Sequence, residues 1–144
     1  HRMELVAYHH GVRYINDSKA TNVDALRQAL LTAMEKRDKA GILLIAGGID
    51  KGLSFTDLKP LLRDAVKDVF LIGSSRQRLA KQWGDVVSCK MFASLEAAFE
   101  AAADSAAEGD VVMLSPGCAS QDMFENYAQR GHAFCELVKR RIGE

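Results

Sequence analysis

The sequence predicts an α/β domain of Rossmann-like, three-layer architecture. A mainly parallel sheet of about six strands carries helices on both faces, with one antiparallel strand contributed by an N-terminal hairpin. Three observations lead there. Short apolar runs such as Ile42-Leu43-Leu44-Ile45-Ala46 are unbroken, as strands buried on both faces should be. These runs alternate along the chain with segments of helical period, the order that produces parallel strands joined by right-handed crossovers. At 144 residues, with 48% apolar and 26% charged side chains, the chain is one domain's worth of ordinary globular composition.

The elements follow in order. Residues 5–9 and 12–15 form a hairpin turning at Gly11. Residues 22 to about 37 are a helix, with Val23, Leu26, Leu30 and Ala33 on one stripe and Asn22 as N-cap. The buried strand 42–46 follows, then a short helix over 57–66, in which Pro60 is tolerable only in the first turn. Residues 69–72 are a strand, 75–83 a helix and 86–91 a further strand. An alanine-rich helix over 94–107 places Leu95, Phe99, Ala102 and Ala106 on one side. A last buried strand, 111–114, leads to a helix from about 122 to 141, whose apolar face is Phe124, Tyr127, Gly131, Phe134, Val138 and Ile142. There are no repeats or internal linkers, so residues 1–144 read as a single domain.

Charge and cysteine usage narrow the function classes. Nineteen basic residues balance nineteen acidic ones, which argues against nucleic acid and membrane surfaces as partners. No apolar run approaches the roughly 20 residues of a membrane span. Cys89, Cys118 and Cys135 are odd in number and lack paired spacing, as expected of reduced thiols in the cytoplasm. The chain opens on His1-Arg2-Met3-Glu4 without an initiator methionine or signal peptide, so we expect a fragment of a longer polypeptide.

In a parallel sheet, ligands bind beyond the carboxyl ends of the strands, where helix N-termini offer free N–H groups. Three strand-to-helix loops are loaded with polar groups: DSKATN at 17–22, GGIDKG at 47–52 and SPGCASQ at 115–121. All three should emerge at one edge, bringing Lys19, Lys51, Thr21, Ser120, an aspartate and several amides to a common rim. That inventory suits an anion: lysines for charge, hydroxyls and amides for carboxylate or phosphate oxygens.

Each feature also has a structural reading. Asp17 and Asn22 are good capping and turn residues. Gly47-Gly48 belongs to neither a G-x-G-x-x-G nor a P-loop pattern, and its glycines can serve a tight strand exit. Cys118 with His132 as base would make a nucleophile, but a small packed thiol is the simpler reading. His9 and His10, adjacent on a strand, should face opposite ways and hold no common metal. Trp83, Phe124 and Phe134 read as core.

The loops also carry a resemblance. His1-Arg2-x-Glu4, Gly11-Val12-x-Tyr14-x-Asn16, DSKATN, Gly47-Gly48-x-Asp50-Lys51 with Phe55, Ser115-Pro116-x-Cys118-Ala119-Ser120-x-Asp122-x-Phe124 and Gln129-Arg130-Gly131-x-x-Phe134 occur in one order across the chain. This pattern resembles the C-terminal, third domain of the Mur ligases. DSKATN matches the branch that adds D-glutamate to UDP-N-acetylmuramoyl-L-alanine (UDP-MurNAc-L-Ala) in peptidoglycan precursor synthesis.

The resemblance implies a monomeric, cytoplasmic, ATP-dependent ligase whose other two domains would be this domain's partners. The P-loop and Mg²⁺ ligands would lie in the missing central domain, with no metal ligands in this one. ATP would activate the UDP-MurNAc-L-Ala carboxylate as an acyl phosphate, and the D-glutamate amine would then attack it. Lys51, Thr21 and Ser120 would hold the D-glutamate carboxylates, with Gln121 and Tyr127 lining the same pocket. The family often has Leu and Phe at those last two positions, which weakens a side-chain role there. Arg2 and Asp17 would face ATP, with Lys19 and Asn22 close by. No catalytic residue is expected in this domain, which alone should be inactive. Two other readings compete: a domain like that of folylpolyglutamate synthetase, disfavoured by DSKATN, and a non-catalytic nucleotide- or anion-binding module.

Overall fold

The computed structural model describes residues 1–35, 41–49, 52 and 54–143. Six strands form one sheet: β1 (Glu4–His9), β2 (Val12–Asn16), β3 (Ile42–Gly47), β4 (Val66–Ile72), β5 (Ser88–Met91) and β6 (Val111–Leu114). Among the described residues four helices connect them after the β1–β2 hairpin, α1 (Val23–Glu35), α2 (Lys59–Ala65, after a 3-10 turn at Thr56–Leu58), α3 (Arg76–Trp83) and α4 (Leu95–Ser105), and α5 (Tyr127–Ile142) follows β6. The strand order is β1-β2-β6-β3-β4-β5, and only the β1–β2 pairing is antiparallel. The expected architecture is the observed one.

The sheet separates two apolar layers by strict alternation. From β3, Ile42, Leu44 and Ala46 face α1, α2 and α3, while Leu43 and Ile45 face α4 and α5. β4 and β6 divide in the same way, Leu71 and Met113 to the first layer and Phe70 and Leu114 to the second. Trp83 anchors the first layer, fully buried and donating its indole N–H to the Phe55 carbonyl at 2.9 Å. Phe99 and Phe134 meet edge-on at 5.6 Å between ring centres in the second. Each such side chain contributes about 1.5–3 kcal/mol by leaving water.

Several boundaries differ from expectation for local reasons. Val66 begins β4 instead of ending α2, because its backbone is already extended; Pro60 does sit in the first turn of α2. Val86 and Val87 are not strand: their N–H groups return to the Trp83 carbonyl, closing the end of α3. α5 starts at Tyr127 rather than near residue 122, because Met123 and Phe124 donate to the Ser120 carbonyl and Asn126 caps the helix through Gln129 N. His9 and His10 do not face opposite ways. His10 lies in the hairpin turn with positive φ, as does Gly11, and the two rings stand 4.0 Å apart. The expected end of α1 near Arg37 falls outside the described residues.

Sequence order and spatial order diverge at one place that matters. β6, sixth in the chain, lies between β2 and β3. The strands that feed the three polar loops are therefore immediate neighbours, and the helices that follow the parallel pair β3 and β6 go to opposite faces of the sheet, the position at which open α/β sheets bind ligands.

The Gly47 backbone has φ 114°, and a β-carbon there would run into the Ile72 carbonyl oxygen. Gly143, the α5 cap, has φ 89° but open space around it. Urea denaturation should therefore show Gly47→Ala losing about 3 kcal/mol or more, and Gly143→Ala only about 1 kcal/mol.

Candidate functional site

The first loop leaves β2 and turns immediately, with Asp17 N–H donating to the Leu114 carbonyl and Ala20 N–H closing back on the Asp17 carbonyl. Asp17 is 4% exposed, and both its oxygens are engaged: Met3 N–H reaches Oδ1 at 3.0 Å, and the Ser115 hydroxyl reaches Oδ2 at 2.8 Å. Burial raises its carboxyl above the usual range, outweighing those two donors and the nearby Arg2. Ser18 is fully buried. Its hydroxyl donates to the Tyr127 carbonyl at 2.6 Å, tying the loop to the start of α5. Asn22 caps α1 by accepting from Ala25 N–H at 2.8 Å.

Arg2, Met3, Asp17, Lys19 and Ala20 form one wall of a cleft of about 240 Å³, whose other wall is α1. The structure thus brings together three of the four residues expected to face a nucleotide. Asn22, at the helix end, does not line this cleft. Its two cationic side chains, with an aspartate already committed to neutral donors, suit an anionic or polar ligand better than a metal ion.

The second loop leaves β3 through Gly47 and Gly48, both at positive φ. Its backbone is clasped on two sides. Ile49 and Ala119 exchange N–H···O bonds of 2.9 and 3.1 Å, and Ser75 N–H donates to the Gly48 carbonyl at 3.0 Å. The glycines serve backbone approach, the structural reading given above. Lys51 and Asp50 lie outside the described residues.

The third loop packs against the first. Gly117 N–H donates to the Ala20 carbonyl at 2.8 Å, and Asp122 reaches across to accept from Ser74 N–H at 2.9 Å. Ser120 is 2% exposed, and its hydroxyl is the one buried side-chain polar atom without a hydrogen-bond partner among the described residues. Thr21 is half-buried on the adjoining loop. Gln121 is exposed, and Tyr127, 37% exposed, opens α5. Cys118 is buried beside the Ser75 hydroxyl, whereas the exposed His132 packs on His1, so the two form no nucleophile–base pair.

Arg130 belongs to the Gln129-Arg130-Gly131 motif, which by itself assigns it no role. It is 1% exposed and binds the first and third loops: Nε donates to Ser18 Oγ at 2.9 Å, Nη2 to the Ser18 carbonyl at 2.8 Å and Nη1 to the Cys118 carbonyl at 3.1 Å. Burial lowers its pKa to about 10. The available signal was its place on the helix, four and seven residues before the buried Phe134 and Leu137, where an apolar residue is due.

Arg130→Met leaves two buried carbonyls without donors and should cost about 2–4 kcal/mol by chemical denaturation, with Arg130→Lys intermediate. Asp17 supplies a pH signature. Its pKa is higher folded than unfolded, so its favourable contribution is complete below the ordinary carboxylate value, and it is lost as pH rises through the folded value. Relative to Asp17→Asn, the parent chain should lose stability with rising pH across that window, measured by urea denaturation at a series of acid pH values.

Comparison with known proteins bears on this site. The family described as "Mur ligase, glutamate ligase domain" matches residues 1–118. The chain is 45% identical over 145 residues to the UDP-N-acetylmuramoylalanine–D-glutamate ligase of Caldicellulosiruptor bescii, covering 99% of this chain and 30% of that protein. It is 46% identical over 140 residues to the ligase of the same name from Salinibacter ruber, covering 96% and 29%. The chain thus spans about 30% of the length of the curated relatives it matches. Among solved structures, Escherichia coli FolC with ADP and without folate substrate aligns at TM-score 0.68 and 19% identity, over 99% of this chain and 32% of that one. A domain from a putative UDP-N-acetylmuramate:L-alanyl-γ-D-glutamyl-diaminopimelate-type ligase of Haemophilus ducreyi aligns at TM-score 0.65 and 10% identity, over 99% and 98%. Those two share the fold; the matched motifs and the family profile go further, and this chain belongs to the Mur ligase, glutamate ligase domain family.

Proposed function

We propose that this chain is the D-glutamate-binding domain of an ATP-dependent amide-bond ligase that extends UDP-N-acetylmuramoyl-L-alanine in peptidoglycan precursor synthesis. The observation that carries the reading is Ser120. A hydroxyl buried at the rim without a partner is expensive unless a ligand supplies one, and it lies on the loop where a carboxylate-binding serine is expected. Lys51 and Thr21 are the other proposed carboxylate contacts, with Gln121 and Tyr127 at the pocket edge. The relatives named as D-glutamate ligases, at 45% and 46% identity, support the amino acid. FolC-like neighbours share the fold at 19–22% identity and provide no comparable support for a folate substrate.

The cleft at Arg2, Asp17 and Lys19 is the proposed site for part of ATP, with Asn22 nearby on the same loop. Two fold neighbours, FolC and a MurF ligase from Thermotoga maritima, were solved with ADP, which supports nucleotide use in proteins of this shape. Mg²⁺ and the acyl-phosphate chemistry fall to the remaining domains of the longer protein. Phosphate release by this chain alone, supplied with ATP, UDP-MurNAc-L-Ala and D-glutamate, should stay at background.

The decisive experiment is steady-state kinetics on the longer protein, varying each substrate in turn. Lys51→Ala should lose roughly 2–4 kcal/mol in kcat/KM for D-glutamate, about 30- to 1000-fold, with the KM for ATP little changed. Ser120→Ala should raise the KM for D-glutamate about 10- to 100-fold, the worth of one hydrogen bond to a charged group. Unchanged D-glutamate dependence in both variants would overturn the reading.

A further inference from the structure

Beside the first loop, the opening segment and α5 bring together three side chains of different metal-binding chemistry. A ring nitrogen of His1, a Glu4 carboxylate oxygen and Cys135 Sγ all lie within 4.8 Å of one another. The spacing H-x-x-E on the opening segment could not reveal a partner 131 positions further on; the docking of α5 against β1 and β2 supplies it. His1 and Glu4 are 3.0 Å apart. The Asn16 amide nitrogen lies 3.0 Å from His1 Nδ1, 3.3 Å from Glu4 Oε1, 3.3 Å from Cys135 Sγ and 3.1 Å from the Gly131 carbonyl. Its orientation is fixed, because Asn16 Oδ1 accepts from Ser18 N–H. One NH₂ group therefore faces four acceptor atoms with two hydrogens, and lone pairs are in excess.

We propose that His1, Glu4 and Cys135 form a binding site for a thiophilic divalent cation of the Zn²⁺ class. An imidazole nitrogen, a carboxylate oxygen and a thiolate sulfur are a ligand set such ions accept, with water in the fourth position. A tetrahedral ion with bonds of about 2.0–2.3 Å spaces its ligands by roughly 3.3–3.8 Å. The cluster needs only side-chain adjustment to reach that: the His1–Glu4 pair opens slightly and the thiol closes in. On binding, the S–H bond breaks, its proton leaves to solvent and the sulfur lone pair forms the metal–sulfur bond. Asn16 then acts as an outer donor to the thiolate, the role such amides play around metal-bound sulfur. The edge of the His132 ring, 4.8 Å from the His1 ring centre to centre, walls one side. The ion would clip the segment ahead of β1 to α5.

The test uses Co²⁺ as the probe, because cobalt bound to a thiolate gives a near-ultraviolet charge-transfer band that His9, His10 or carboxylates cannot produce. One equivalent should bind this chain with that band. Cys135→Ser should abolish it, Glu4→Gln should weaken binding tenfold or more, and Cys89→Ser should leave it intact. Zn²⁺ should displace the cobalt. Absence of the band, or its survival in Cys135→Ser, overturns the site. Should Cys135→Ser prove unfolded by circular dichroism, Glu4→Gln, on an exposed side chain, decides alone: unchanged affinity there overturns it equally.

Discussion

A guanidinium shut inside a protein is normally matched by a carboxylate. Among the described residues Arg130 has none; it is held by the Ser18 hydroxyl and the carbonyls of Ser18 and Cys118. The loop after β2 and the loop after β6 are thus bridged by one side chain rising from α5. Neither loop has a regular structure of its own to fix its carbonyls, and five N–H donors in a rigid fork do what a flexible lysine cannot. Removing this cation from water is costly, as its pKa lowered to about 10 records. That cost leaves positive charge just beneath a rim proposed to receive carboxylates.

Strand order gives the rim its membership. Placing β6 between β2 and β3 makes the three loops contiguous. Direct backbone bonds then join them: Gly117 N–H to the Ala20 carbonyl, Gly47 N–H to the Pro116 carbonyl, and the Ile49–Ala119 exchange. Gly47 and Gly48 permit that approach, since a side chain at either would collide with a carbonyl of a neighbouring segment. Rigidity at the rim is built mainly from main-chain contacts, and this leaves several side chains available for ligands.

The buried polar groups divide accordingly. Asn16, Asp17, Ser18, Ser75 and Ser115 are fully engaged within the fold and hold the loops in shape. Ser120 alone among the described buried side chains is left with an unmet hydroxyl. Asp17 belongs to the first group, its oxygens clamping Met3 and Ser115, and it also lines the cleft beside Arg2 and Lys19. Architecture accounts for part of the polar density of DSKATN, through Asp17, Ser18 and Asn22, and the proposed ligand contacts would account for the rest.

The sequence by itself determined the fold class, the number of strands and the rim. Those depend on local period and on the rule that parallel strands joined by helices send their carboxyl ends to one edge. Element ends were less legible. Val66, Val86 and residues 122–126 were settled by where single N–H groups found carbonyls, and hydrophobic period carries no information about that. Only the tertiary structure decided what Arg130 does, which serine hydroxyl lacks a partner, and that His1 and Glu4 meet Cys135. The first and the last depend on contacts between residues more than a hundred positions apart, Arg130 with Ser18 and Cys135 with His1 and Glu4, brought together by the docking of α5. A linear pattern specifies which face of a helix is apolar, but the loop atoms that face meets exist only once the sheet has closed around them.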